Sequence, residues 1–331
     1  YSFSIAYWMK FWIVFYRTAL QLAANHNNQE IITFLLSQDC NEIKDKAFYS
    51  CTKLKRITIP SFITKIGDCA FEMCKSLAYV SIPSSVTSIG SRTFYECSSL
   101  LQLTIPPSVT EIKDQICSFC RSLRQVKIPS SVKSIGHSCF CGCSSLTDVT
   151  LSSSLEKIEK STFKECSSLE KIIIPSSVTS ICSYAFMTCK SLLKIEIPSS
   201  VTFIDDHAFS SCTNLTEISI LSSSLKKIED YTFSNCQKLS KILIPQSVTV
   251  IGKFAINSCQ SLSEVSLPSS LKRIEQCAFY DCSSLKEVEI PFSISFVGAS
   301  VFSSCKSFFG NSIWYIGTGV EVGSILNGIS G

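Results

Sequence analysis

Histidine is scarce in this 331-residue chain: His26, His137 and His207 are the only three, far apart in sequence, and each reads as a surface residue. Acid–base or nucleophilic catalysis needs titratable groups that converge in one pocket, and such scattering offers none. Charge of one sign is also lacking. Thirty Lys and Arg against 26 Asp and Glu leave +4, with lysines interspersed among glutamates, so no basic stripe marks a nucleic-acid partner. No apolar run reaches the eighteen or so residues of a membrane span; the aromatic stretch from Tyr1 to Tyr16 is broken by Lys10. That stretch has neither the basic start nor the small-residue cleavage site of a signal peptide, and it reads as a truncated helix, with a membrane-surface anchor as the alternative. Paired clusters of Cys and His, as zinc requires, are missing too: Cys139, Cys141 and Cys143 stand close together without a second pair. The expectation is no metal, no cofactor and no enzyme activity.

What the chain has in excess is cysteine and periodicity. Cysteine recurs every 23 residues at 51, 74, 97, 120, 143, 166, 189 and 212, then after one 24-residue step at 236, 259, 282 and 305. Twelve repeats at a fixed period predict a solenoid, in which no coil buries its apolar face alone. Twelve of the nineteen cysteines thus form one column. Successive coils of a parallel solenoid lie about 4.8 Å apart, which files these cysteines through the core. A free buried cysteine acts as a small hydrophobe with a weak S–H donor, so reduced core thiols are expected, with occasional disulfides between neighbouring coils as the alternative.

The other columns divide the coil. Three residues beyond each cysteine stands leucine, as in Leu54, Leu77 and Leu100, followed by aliphatics such as Ile57 and Ile59 or Val80 and Ile82. Aliphatics two apart share one face of a strand, so each coil holds a short Leu-x-x-Ile-x-Ile strand that pairs in parallel with its neighbours. Proline follows (Pro60, Pro83, Pro106, Pro129) and marks where pairing stops. A second extended piece, Val86-x-x-Ile89, leads to a tight Ala-Phe turn and the next cysteine. Phenylalanine holds its column in ten of twelve coils, with Cys117 and Ile256 as exceptions. The position of Gly90 also accepts Lys113, Glu159, Cys182, Glu229 and Glu275, so a positive φ is not required there and a solvated turn is expected. The Ser-Ser pairs after proline suggest hydroxyls that cap turns. The extra residue of the 24-residue step falls near Ile220 and Leu221 and predicts a bulge or a loosened turn.

At the N-terminus, Thr18-Ala19-Leu20-Gln21-Leu22-Ala23-Ala24-Asn25-His26-Asn27, with Glu30-Ile31-Ile32 and Phe34-Leu35-Leu36, resembles most of one ankyrin repeat; Ala19 and Gln21 stand where that family has proline and histidine. Residues 1–40 are therefore expected to be an N-terminal segment with a partial ankyrin-like repeat over 18–37, serving as a helical cap. Residues 41–310 make the solenoid. In the last coil Phe308 and Asn311 replace the leucine and the aliphatic, Trp314 and Tyr315 are placed to cover the open core, and 311–331 reads as an irregular glycine-rich tail. The tail string Gly317-Thr318-Gly319-Val320-Glu321-Val322-Gly323 lacks the strand-turn-helix context of a nucleotide loop. Asn214-Leu215-Thr216 is a glycosylation sequon, with Leu215 at a core position that argues against its use.

The unit Ile-Pro-Ser-Ser-Val-Thr-x-Ile-Gly-x-x-Ala-Phe-x-x-Cys-x-Ser-Leu resembles the BspA-like, Treponema-type leucine-rich repeat, over about residues 41 to 310. The resemblance implies a mainly β, curved right-handed leucine-rich-repeat solenoid, with a parallel concave sheet and short extended segments on the convex side. It also implies a non-enzymatic protein-binding role, as a cell-surface or secreted adhesin for host, matrix or other surface proteins. An intracellular, cytoplasmic ankyrin and leucine-rich-repeat scaffold is the alternative. Binding would be written on the exposed strand positions between the core aliphatics, where one column runs Arg56, Tyr79, Gln102, Gln125, Asp148, Lys171, Lys194, Glu217, Lys241, Glu264, Glu287. The candidate partner contacts are Arg56, Tyr79, Gln102, Gln125, Lys171, Lys194, Glu217, Lys241, Glu264 and Glu287. The column is neutral to basic toward its N-terminal end and mostly acidic toward its C-terminal end.

Overall fold

Alternation of buried aliphatics with exposed polar residues gives each coil one long strand, and a second apolar pair gives it a short one. The computed structural model describes residues 15–38 and 41–307, and the backbone of 313–315. Two compact units divide the chain at Ser152 and Ser153.

The first unit begins with helix α1, helical over residues 15–25, and helix α2, Gln29–Ser37. Asn28 caps α2 by accepting from the Ile31 N–H at 3.0 Å. Leu20, Ala23 and Ala24 of α1 and Ile32 and Leu36 of α2 are buried. The helices meet the first coil through two side-chain amides that act like a neighbouring strand. Gln29 donates to the Thr58 carbonyl at 2.8 Å and accepts from the Thr58 N–H at 3.1 Å. Asn27 accepts from the Lys55 N–H at 2.7 Å and donates to the Lys53 carbonyl at 3.1 Å. Polar groups on an open edge template further pairing, and these amides occupy four of them. The aromatic stretch of residues 1–14 lies outside the described residues.

Long strands in this unit are Arg56–Thr58 paired with Tyr79–Ser81, and Gln102–Thr104, Gln125–Lys127 and Asp148–Thr150 in one sheet. Every pairing is parallel and steps by 23 residues. Short strands form their own ladders, Glu42–Ile43 with Lys65–Ile66 and Ser88–Ile89, then Glu111–Ile112 with Ser134–Ile135.

The second unit repeats the plan. Lys194–Ile197, Glu217–Ile220, Lys241–Leu243 and Glu264–Ser266 form a four-stranded parallel sheet. Short strands stack from Lys157–Ile158 to Phe203–Ile204, and again from Lys227–Ile228 to Phe296–Val297. The extra residue lies where these ladders change. Lys194–Ile197 holds register with Glu217–Ile220 at four positions, whereas Glu217↔Lys241 is the one registered pair on the other side. Beyond it Ser224 N–H turns back to the Ser222 hydroxyl at 3.2 Å, in place of the proline-initiated turn that closes at Val248 N–H to Pro245 O in the next coil. The register therefore slips through a bulge. At the far end, Ile313–Tyr315 pairs in parallel with Val288–Ile290, so an extended strand occupies part of the span expected to be irregular from 311. The side chains of Trp314 and Tyr315, and residues 308–312 and 316–331, lie outside the description.

Three columns differ from expectation in a way that explains the repeat. The Ala-Phe turn places two residues per coil in the left-handed region, with glycine only at Gly142 among the described residues; Lys46 at φ +58° and Ser50 at +57° are an example. This alternation aims every second N–H at the next coil: Lys46, Phe48 and Ser50 donate to the carbonyls of Asp68, Ala70 and Glu72 at 2.9, 2.8 and 2.7 Å. Left-handed non-glycine residues cost roughly 1–3 kcal/mol each, and these ladder bonds offset it. The Gly90 position is not a solvated turn. Gly67, Gly90 and Gly252 are buried, and a Cβ at Gly90 would lie 2.4 Å from Asp68 Oδ1 of the preceding coil. That carboxylate accepts from the Ser91 N–H at 2.8 Å, and Asp45, Asp114 and Asp230 do the same one coil before Gly67, Gly136 and Gly252. Glycine is there for close approach to an aspartate, not for its φ. Finally, the second serine after proline does not cap its own turn: Ser85, Ser200 and Ser270 donate to the carbonyls of Ile63, Val178 and Val248 in the coil before.

Candidate functional site on the outer face of the long-strand sheet

The core columns leave little for chemistry. Ten of the phenylalanines fill their column with side chains wholly buried, and neighbours stack face to face, as in Phe186 on Phe209 with centroids 5.2 Å apart and planes 5° from parallel. All eighteen described cysteines are free thiols. The column cysteines have a defined polar partner: Cys74 donates to Phe48 O at 3.0 Å, Cys97 to Phe71 O at 3.1 Å and Cys212 to Phe186 O at 3.2 Å. Burial raises the thiols of Cys97, Cys212 and Cys236 above the ordinary range and carries Cys139 to about 12. Cys69 and Cys182, half-buried on turns, are raised by burial first to about 11. Among the described residues no group of three His, Cys, Asp or Glu is placed to hold a metal ion.

His207 is not a simple surface residue. Its ring stacks between Tyr184 and Tyr231, with centroids 4.8 and 4.5 Å away, and Tyr231 stacks in turn on Phe254. Asp206 Oδ2 lies 3.0 Å from its Nδ1. Burial alone would raise the Asp206 carboxyl, but the nearby Ser183 hydroxyl, which donates to Asp205 at 2.6 Å, and His207 outweigh it and hold it below the usual range.

All ten candidate contact residues are exposed. Registered pairing makes several direct neighbours: Arg56 beside Tyr79, Gln102 beside Gln125, and Lys194, Glu217, Lys241 and Glu264 in sequence across one sheet. Lys171 stands in a coil whose residues 171–173 form no strand, and Glu287 immediately precedes the strand Val288–Ile290. The Arg56 guanidinium lies over the Tyr79 ring, 4.9 Å from its centroid. Gln125 donates to Asp148 at 2.7 Å. Lys194 pairs with Glu217 at 2.6 Å and Lys241 with Glu264 at 2.5 Å. Within the second unit opposite charges alternate over Lys194, Glu217, Lys241 and Glu264, and the two ion pairs balance the charge there.

At the bulge the face opens into a depression of about 630 Å³, lined by Lys194, Thr216, Glu217, Ile218, Ser219, Ile220, Leu221, Ser240, Lys241 and Leu243. Three of these are candidate contacts, and the hollow itself was not foreseen. The signal that locates it is the single 24-residue step, since a slipped register leaves the pleat of neighbouring strands unmatched.

With this geometry in view, the chain compares as follows. It matches the BspA type leucine rich repeat region over residues 23–145, 110–223 and 219–313. A leucine-rich repeat protein from Bacteroides ovatus of known structure is 29% identical, with a TM-score of 0.58 over 83% of this chain and 87% of that one. A leucine rich cell surface protein from Faecalibacterium prausnitzii is 27% identical, with a TM-score of 0.52 over 86% and 85%. A leucine-rich repeat protein from Eubacterium ventriosum, 24% identical with a TM-score of 0.58 over 82% of each chain, shares the fold. No curated protein matches in sequence.

Proposed function

Because the chain belongs to the BspA-type leucine-rich-repeat family, we propose that it binds a protein partner through the outer face of its long-strand sheet, at the surface of a cell. The observation that carries the binding role is the contrast between columns. Letters that recur are buried or bonded between coils, while the file from Arg56 to Glu287 varies from coil to coil and faces solvent. Within each unit, variable side chains on a repeated frame are what a recognition surface requires. Within the file, Arg56 with Tyr79 is the strongest contact pair, since arginine and aromatic residues are favoured at interfaces. The surface location draws on likeness to the Faecalibacterium prausnitzii cell surface protein. No described helix is long and apolar enough to cross a membrane.

The test is in two parts. Biotinylation or protease treatment of intact cells should reach the protein, and protection until lysis would move it inside. There the second reading, an intracellular scaffold, is favoured by the column of buried thiols that donate to carbonyls of the preceding coil, and by the helical pair on the first coil. In either compartment, Arg56→Ala with Tyr79→Ala should weaken partner binding by about 1–3 kcal/mol; unchanged affinity would remove these two residues from the contact.

A further inference from the structure

We infer that the depression at the bulge is an anchor pocket that accepts one large apolar side chain from an extended segment of a protein partner. This rests on the sheet-face reading above and makes it specific. The exposed positions of the long strands are polar in most coils: Thr58, Ser81, Thr104, Lys127, Thr150, Glu196, Ser219, Ser266 and Glu289 share a column. Ile173 and Leu243 break that column with 83% and 56% of their surface exposed, and Leu221, pushed out by the extra residue, shows 53%; of the two breaks, Leu243 lines the hollow. Scattered exposed leucines need no explanation, but two on the rim of one hollow, above Ile218 and the half-buried Ile220, form an apolar seat.

Charge and size select the occupant. Lys194 and Lys241 border the seat, yet each already faces a carboxylate, Glu217 or Glu264, so the local charge is balanced. A polyanion or a strongly acidic peptide therefore gains little, and a neutral apolar group loses nothing. The volume of about 630 Å³ falls in the range of roughly 300–1,000 Å³ typical of sites for compact ligands, ample for one side chain with its flanking backbone. The hydroxyls of Thr216, Ser219 and Ser240 line the same hollow; Thr216 and Ser240 donate to Leu193 O and Thr216 O at 3.0 and 3.5 Å, which leaves their oxygens as acceptors for a backbone N–H.

The test selects displayed random linear peptides on the full chain and measures the enriched sequences as synthetic peptides by fluorescence anisotropy. The expected result is a shared large apolar residue, with binding weakened at least about tenfold by Leu243→Lys and by Leu221→Ser, and unchanged by Lys272→Ala, an exposed lysine outside the long strands. Lys127 already occupies the column of Leu243, so the lysine variant should fold, which a thermal melt verifies. Affinity retained by both pocket variants, or enrichment of acidic peptides without an apolar residue, overturns the inference. Peptides that lose affinity with Tyr79→Ala instead overturn it while leaving the sheet-face reading intact. Failure to enrich any peptide counts against both. If the chain alone dimerises in sedimentation and Leu243→Lys dissolves the dimer, the occupant is a second copy, and the peptide assignment is wrong.

Discussion

Phe209 stacks on Phe186 and Phe233 with centroids 5.2 and 5.7 Å away, and its side chain is wholly buried. Phe209→Ala removes a ring from the middle of a file and leaves a hole that two neighbouring coils cannot close, so the expected loss is about 3–5 kcal/mol in chemical denaturation. Phe209→Ile should cost well under half of that, because Ile256 fills the same column in the native chain; equal losses would show that stacking, not volume, carries the column. Glu42 is the opposite kind of residue, a surface carboxylate. Hydrogen bonds from Lys65 at 2.9 Å and Lys44 at 3.0 Å hold its carboxyl below the usual range. A lowered folded pKa means that the stabilisation is fully present above the ordinary carboxylate range and is lost as pH falls through the folded value. Glu42→Gln should therefore be slightly less stable than the native chain near pH 7, with the difference closing between about pH 5 and pH 3. A difference independent of pH would show that the pairs contribute nothing.

At the scale of the element, the unit of design is the contact between one coil and the next. Asp114 Oδ1 accepts from the His137 N–H, and a Cβ at Gly136 would lie 2.3 Å from that oxygen. Where the earlier coil lacks aspartate the later one mostly carries bulk, as with Ser91 before Lys113 and Lys160 before Cys182; Asp206 before Glu229, across the 24-residue step, and Gln276 before Gly298, where a Cβ would meet backbone, are the exceptions. Gly136→Lys alone should therefore cost about 1–3 kcal/mol, and Asp114→Ser in the same chain should recover the part due to the carboxylate, while Asp114 N and Lys113 C, 2.7 and 2.9 Å from the same Cβ, keep the rest; a double-mutant cycle measures the coupling. Simple additivity would mean that the clash is with backbone. This pairing is legible in the sequence only when two columns are read together, one coil apart; read singly, the glycine column suggests a solvated turn. The strands were legible because burial alternates with period two. The left-handed pairs in each turn were not, because Lys46, Arg92, Tyr184 and Phe254 occupy positions that glycine or asparagine would have signalled. The hollow at the bulge was half legible: its place follows from a count of residues, but its apolar rim needed Leu221 and Leu243 to be seen exposed together.

For the whole molecule, the cysteine column converts the state of the fold into a chemical readout. Each described unit contains thiols that are buried, bonded to a phenylalanine carbonyl of the preceding coil and raised above the ordinary range, so the reactive thiolate is both rare and inaccessible in the native state. Cys69 and Cys182, at about 11, are half-buried but still ionise little near pH 8. Among the described cysteines, iodoacetamide at about pH 8 should therefore label the native protein slowly, Cys69 and Cys182 first, and the column thiols should acquire label only at the rate at which their unit opens. Denatured without reductant, the chain should titrate nineteen thiols. The two measurements separate different failures. Fewer than nineteen thiols would mean disulfides between coils, whereas nineteen thiols with fast native labelling of Cys97 or Cys212 would mean that the coils do not exclude solvent. Slow labelling that accelerates in Phe209→Ala, and more at Cys212 and Cys236 than at Cys74, would show that each coil is held by its neighbours, as contacts confined to adjacent repeats demand.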